Sequence, residues 1–295
     1  MIYRIVIIFL LLPVCRTAAQ DMPFQYEGQQ LKTIEVPIGG ISTGNILMGG
    51  RGDFSHIEIF NRPNRLRYPI NTFFAIYSEV EGELPVSKIL EGEYIPPYGE
   101  ETHLKSSGLP RIDEVIFINN YPEVLWQFKD QDLDLEMNLS VSNPFIPLDV
   151  ENSAFPLVDF RWSVVNTANK RTSITLLLNM ENMIEAESIS NQFFEDGELT
   201  GIRFFADSST DINNRGQYII ATDQDDVTAQ THLYSGKWRD DMHILWEDFS
   251  SDGKISEVRE TWNSTYKTPS YNEISNRNGV LAVSFTLDPG ETIEI

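Results

Sequence analysis

Between Asp132 and Val141 the chain alternates without a break. Leu133, Leu135, Met137, Leu139 and Val141 are apolar, and Asp132, Asp134, Glu136, Asn138 and Ser140 between them are polar. Successive side chains on an extended backbone point to opposite faces, so this period of two specifies an antiparallel strand with one buried and one wet face. The period recurs at Val124, Trp126 and Phe128, and again at Val158, Phe160, Trp162 and Val164. It returns at Ile174, Leu176, Leu178 and Met180, and at Leu281, Val283, Phe285 and Leu287. Turn-forming clusters such as Ser142-Asn143-Pro144 and Asn166-Thr167-Ala168-Asn169 separate the runs. Many such strands joined by polar turns predict an all-β fold, a large antiparallel β-sandwich. One stretch departs from the pattern. Met242, Leu245, Trp246 and Phe249 stand at helical spacing after Asp240 and Asp241, with Gly253 as a stop, and predict one short helix.

The two ends of the chain read differently from its body. Arg4, the apolar run Ile5 to Val14 and the small residues of Thr17-Ala18-Ala19 make residues 1–19 an expected signal peptide, too short in its apolar part to span a bilayer. The competing reading, a lipoprotein signal acylated at Cys15, is disfavoured by the bulky Val14 before it. Export to a periplasmic or extracellular space is therefore expected. Cleavage would remove the only cysteine, which excludes thiolate metal sites and thiol catalysis. Residues 20–30 are expected as an N-terminal extension and 31–295 as the sandwich. At the other end, Glu291–Ile295 begins a further alternating run after the turn at Asp288-Pro289-Gly290, so the chain is expected to be cut short.

Composition narrows the function classes. Lys and Arg number 22 against 44 Asp and Glu, a formal charge of −22. Nucleic acids and anionic lipid surfaces require clustered cations, so neither is an expected partner. The 41% apolar content suits a chain with a packed core rather than a disordered one.

Six glycines crowd the fourteen positions from Gly39 to Gly52 in Val36–Phe54. Such density marks positive φ angles or a backbone that approaches something closely. Gly39 and Gly44 are followed by Asn45-Ile46 rather than Lys-Ser/Thr, which excludes a phosphate-binding P-loop, and G-x-G-x-x-G is absent. Gly40-Ile41-Ser42-Thr43-Gly44 spells a hydrolase nucleophile elbow, yet the glycines after it cannot hold the helix that the elbow needs. Asp130, Asp132 and Asp134 imitate the opening of a calcium loop, but Leu135 and Val141 stand where its Gly and Glu belong. Those acids read as the wet face of a strand. His56-Ile57-Glu58 lacks the cysteine pair of a zinc deaminase, and the histidines have no ligand spacing. No metal or cofactor is therefore expected. Arg51-Gly52-Asp53 spells an adhesion tripeptide and is read as part of the glycine-rich loop; Asn138 and Asn263 open glycosylation sequons.

The glycine-rich segment continues into Ser55-His-Ile-Glu-Ile-Phe-Asn-Arg-Pro and then Asn71-Thr-Phe-Phe-Ala. Further on come Trp246-Glu-Asp-Phe-Ser-Ser-Asp-Gly-Lys-Ile and Leu281-Ala-Val-Ser-Phe-Thr-Leu-Asp-Pro-Gly-Glu. In this order the segments resemble the N-terminal domain of glycoside hydrolase family 116, the non-lysosomal glucosylceramidases and bacterial β-glucosidases. The resemblance implies a β-sandwich that precedes an (α/α)6 barrel, and retaining hydrolysis of β-glucosides or related glycans. It places both catalytic carboxylates in that barrel, which this sequence does not include. No catalytic residue is therefore assigned to the chain, and by itself it is expected to be inactive. The implied partner is the barrel, in cis or from a split gene. Arg51, Asp53, Glu58, Asn61 and Arg62 are the candidate contacts at the barrel's substrate rim. The competing reading of Arg51 and Asp53 is an internal brace, each paired with the other. Two other functions stand beside the accessory one. A free-standing secreted carbohydrate-binding module would expose Trp238 or Trp262 as a stacking platform, and a self-contained hydrolase would need a carboxylate pair in a pocket.

Overall fold

The computed structural model describes residues 24–60, 68–98, 106, 108–208, 215–234, 241–256 and 277–295. The expected signal segment 1–19 lies outside them, as do Asn61, Arg62, Trp238, Trp262 and Asn263. The first six strands are β1 (Phe24–Glu27), β2 (Glu35–Ile38), β3 (Asn45–Gly49), β4 (Phe54–Glu58), β5 (Phe73–Val80) and β6 (Val86–Gly92). Then come β7 (Arg111–Ile112), β8 (Glu114–Asn120), β9 (Glu123–Lys129), β10 (Leu135–Ser142), β11 (Asp159–Asn166) and β12 (Thr172–Glu181). The last are β13 (Ser188–Asp196), β14 (Leu199–Ser208), β15 (Gln217–Thr222), β16 (Val227–Gln230), β17 (Asn278–Leu287) and β18 (Thr292–Glu294).

These strands form four sheets rather than the single expected sandwich. Two have six strands, in the orders β1-β8-β9-β10-β11-β18 and β16-β17-β12-β5-β6-β7, and two have three, β2-β3-β4 and β13-β14-β15. Pairing is antiparallel as expected, except where β7 runs parallel to β6. The all-β antiparallel class thus holds while the sheet count differs. Alternation specifies which face of a strand is buried but says nothing of its neighbour, so the partition into sheets leaves no trace in the pattern. The expected extension supplies β1, which pairs with β8 along its whole length.

The helix content also differs from the single helix predicted. That helix is present as α2 (Asp241–Asp252), with Met242, Leu245 and Phe249 buried. Two shorter pieces accompany it, a 3-10 helix over Gly28–Thr33 and α1 (Val150–Ser153). Neither is long enough to repeat an apolar residue at helical spacing, so neither has a periodic signature.

One core joins all four sheets. Trp126, Phe128 and Trp162 come from the first six-stranded sheet, Phe74, Ile76 and Leu176 from the second, Phe54 from the β2–β4 sheet, and Ile202 and Phe204 from the β13–β15 sheet. The Phe74 and Trp162 rings meet edge to face at 5.4 Å between centroids, so the two large sheets touch directly. A second cluster packs α2 through Met242, Leu245 and Phe249 onto Phe73, Ala75, Leu177, Val280 and Ala282. Strands β5, β12 and β17 are therefore covered on both faces. This is why Phe73-Phe74-Ala75-Ile76-Tyr77 is an unbroken apolar run, whereas β10, with one face wet, alternates.

Asp130 corrects the reading of the acidic run as a wet strand face. Strand β10 begins only at Leu135, and the Asp130 side chain is fully buried against Lys88 at 2.6 Å, with Asp132 at 2.9 Å from the same ammonium. Lys88 lies on β6, so this pair ties one large sheet to the β9–β10 turn of the other. Burial alone would lower the Lys88 pKa, but the hydrogen bonds it donates to these two carboxylates outweigh that and hold the ammonium above its ordinary value.

Candidate functional site

The glycine-rich segment folds as the β2–β4 sheet with its turns. At the β3–β4 turn, Gly52 N–H donates to Gly49 O and Gly49 N–H to Asp53 O. Gly52 has φ +86°, and a Cβ there would come within 2.9 Å of the Phe128 ring, so conformation and space both require glycine. The turn presses Arg51 and Asp53 inward, where they are 8% and 7% exposed. Their charged groups pair at 3.0 Å, and Arg51 Nη1 also donates to Gly92 O on β6 at 2.8 Å. The Arg51 guanidinium lies 4.7 Å from the Tyr94 ring centroid, and that of Arg111 lies 4.3 Å from it. Arg111 in turn donates to the Tyr94 hydroxyl at 3.0 Å and lies 3.5 Å from Glu91. Burial pushes the Tyr94 phenol up to about 12, against the opposing pull of the Arg111 charge. Burial would lower the Arg51 pKa, but Asp53 and Glu91 more than offset it.

Arg51 and Asp53 are thus partners of each other inside the fold, which is the geometry of the internal brace. An adhesion role for Arg51-Gly52-Asp53 would require an exposure that the tripeptide lacks. Glu58 ends β4 half-buried. Asn61 and Arg62 lie outside the described residues.

Beside this turn lies a cavity of about 320 Å³ whose wall includes Lys32, Glu35, Arg51, Asp53, Ser55, His56, Tyr68, Tyr94 and Tyr98. The β2–β3–β4 register brings Glu35 to Ser55 and His56, twenty residues on. Ser55 Oγ donates to Glu35 Oε1, and His56 Nδ1 lies 2.7 Å from the same oxygen. His56 Nε2 is buried with no hydrogen-bond partner among the described residues. In an acyl-transfer triad one imidazole nitrogen takes the serine proton while the other is held by the carboxylate. Here Ser55 Oγ, 3.3 Å from His56 Nδ1, and Glu35 Oε1 meet the same imidazole nitrogen instead of flanking the ring, which is not the triad arrangement. Sequence reasoning did not single out Glu35 or Ser55, and no short-range spacing marks them. The three-strand meander alone assembles the group. Among the described residues no group of three His, Cys, Asp or Glu side chains is disposed to hold a metal.

A second feature stands at one end of the first large sheet. The β8–β9 turn and the long β10–β11 connection project there together, as the pairs Asn120 with Glu123 and Ser142 with Asp159 show. That connection exposes Phe145, Ile146, Leu148, Val150, Phe155 and Leu157 to solvent. Tyr121 in the neighbouring turn is exposed beside Phe145, their ring centroids 5.6 Å apart. Local bonds hold these side chains outward. Asp149 caps α1 by accepting from Asn152 N–H at 3.1 Å, and the buried Ser153 Oγ bridges Ile146 N and O at 2.9 and 3.0 Å. The hydrogen bonds from Asn152 also hold the Asp149 carboxyl below its ordinary pKa. The glycine-rich segment joins the same face, because Ile41 N–H donates to Ser153 O at 2.9 Å and Ile41 is itself exposed. Gly40 must be glycine at this junction, since a Cβ would fall 2.4 Å from Phe155 O. Strand β18 runs antiparallel to β11, with Ile295 bonded to Trp162, and so heads toward this end of the sheet.

No helix among the described residues is long and apolar enough to cross a membrane. No curated protein matches the chain. The family model described as beta-glucosidase 2, glycosyl-hydrolase family 116 N-term, matches residues 35–295, from the first residue of β2 onward. The fold around the glycine-rich sheet and the match over nearly all of the described chain lead to one assignment: the protein belongs to the N-terminal domain family of glycosyl hydrolase family 116.

Proposed function

We propose that the chain is an accessory domain that seats a catalytic (α/α)6 barrel of β-glucosidase or glucosylceramidase type, supplied in cis or by a separate gene. In this reading the four sheets act as a scaffold, and the barrel carries the acid and the nucleophile for β-glucoside or glycan hydrolysis. The observation that carries the proposal is the rigid apolar face of Tyr121, the 143–158 connection and Ile41. Soluble proteins rarely hold so many large apolar side chains in water unless a partner covers them. Strand β18 runs toward that face. Ile41 supports a place at the barrel rim for the Gly39–Gly44 end of the glycine-rich segment. Arg51 and Asp53 act behind it, holding the sheet. We further propose that residues 1–19 direct export and are removed near Gln20.

The test is catalytic. The purified chain alone should hydrolyse no aryl β-glucoside, and it should form a stoichiometric complex with a family 116 barrel produced separately. Robust turnover by the chain alone, abolished by one Asp or Glu substitution within it, overturns the accessory reading.

A further inference from the structure

We infer that Leu148 is a preformed anchor, a single apolar knob that the chain holds out to fill an apolar pocket on the catalytic barrel. The inference rests on the accessory-domain reading above and names the residue on which docking turns. It starts from a conflict in local chemistry. Ile146 O accepts from Asp149 N–H at 3.0 Å, which closes a turn over Ile146-Pro147-Leu148-Asp149. The proline ring fixes φ at about −65° in the second position, and Leu148 in the third has φ +69°. That is the pattern of a type II turn, whose third position calls for Gly or Asn because a Cβ crowds the backbone there. A leucine in its place is strained.

The fold does not offset the strain. Leu148 is 105% exposed, so its side chain buries no apolar surface against the rest of the chain. Glycine would close the same turn without the strain. The turn is nevertheless braced on both sides. The buried Ser153 Oγ accepts from Ile146 N–H at 2.9 Å and donates to Ile146 O at 3.0 Å, and Asp149 caps α1. Strain kept in a braced loop, on a side chain that serves nothing in its own fold, points to a functional contact. A rigid anchor also loses little conformational freedom on docking, so more of its burial appears as affinity. A lone aliphatic side chain selects an apolar concavity. The formal charge of −22 sets the whole chain against an anionic bilayer. Membership of an N-terminal domain family fits a catalytic domain as the partner, and β18 runs toward this face.

The experiment compares the full wild-type chain with Leu148→Gly and Leu148→Met. Each is measured for its melting midpoint and, by calorimetry, for its affinity for a separately produced family 116 barrel. Leu148→Gly should melt about 1–3 °C above wild type, because the relief of strain exceeds the extra freedom that glycine gives the unfolded chain. The same variant should bind the barrel roughly 30-fold more weakly, the loss of one anchor. Leu148→Met keeps an apolar side chain, so it should melt with wild type and retain most of the affinity. A merely structural leucine would not separate stability from binding in this way. If wild type binds the barrel and Leu148→Gly binds equally well, or if Leu148→Gly fails to melt above wild type, the anchor is refuted while the accessory reading stands. If wild type forms no complex with the barrel, whether it stays free, binds phosphatidylcholine vesicles or pairs with a second copy, both readings fall.

Discussion

Replacing Asp53 by alanine would leave the Arg51 guanidinium buried beside Gly92 and Tyr94 with its nearest counter-charge gone. The size of the penalty separates the two readings of this pair. At an exposed rim an Arg–Asp pair is worth about 0–1 kcal/mol, because water solvates either partner once the other is lost. Breaking a buried pair by removing one member costs about 3–5 kcal/mol, because the remaining charge is neither paired nor hydrated. Both residues are more than nine-tenths buried, so the second figure applies. Arg51 would keep its 2.8 Å bond to Gly92 O, and Glu91 lies close enough to influence its charge. The expected loss therefore falls at the low end, about 3 kcal/mol. For a domain of this size each kcal/mol moves the melting midpoint by about 2–4 °C, so the variant should melt roughly 6–12 °C below wild type. Urea unfolding of both proteins provides the check, provided the slope of the transition is unchanged. Asp53→Asn should recover part of the loss, since an amide oxygen still accepts from the guanidinium. A loss below about 1 kcal/mol for Asp53→Ala would refute the buried-brace account.

Other outcomes follow from the same geometry. Gly40→Ala should displace the 153–155 segment, because the added methyl meets Phe155 O at 2.4 Å; hydrogen exchange should rise at Ile41, whose N–H is bonded to Ser153, and unchanged exchange there would contradict the close approach. Tyr77 and Tyr94 are pushed up to about 12, in both cases chiefly by burial. The native state then keeps protons that the unfolded chain releases from about pH 10, so the two groups contribute stability in full below that pH and lose it between about 10 and 12. The phenolate absorbance of these two residues should accordingly appear late and together with unfolding, and ionisation of both near the free-phenol value in a folded protein would contradict this.

Much of the fold was legible because burial writes itself into a strand as period two. Leu135, Met137, Leu139 and Val141 are buried as the alternation requires, and Met242, Leu245 and Phe249 face the core from one helix. What the pattern could not carry is partnership. Nothing near Asp130 reveals that Lys88, forty-two residues earlier, buries it. Nothing near Glu35 reveals Ser55 and His56, because sheet register, not local spacing, brings them together. The same limit explains the four sheets. Of the 143–158 connection only its start, at Ser142-Asn143-Pro144, has a turn signal. Its apolar residues have no period, so they signal neither strand nor helix, and their exposure emerges only from the capped, bridged loop that holds them outward.

The most direct test of the docking account is the affinity of this chain for a family 116 catalytic barrel, measured by calorimetry for wild type and for the Leu148→Asp, Phe155→Asp double variant. Both side chains are exposed, so the variant should melt where the wild type does. Apolar anchors at the centre of an interface each contribute about 2 kcal/mol, so the variant, which loses two, should bind roughly 700-fold more weakly. Saturable binding by wild type with that loss in the variant is the predicted result. A wild-type chain that does not bind the barrel, or a double variant that binds it equally well, would contradict the account.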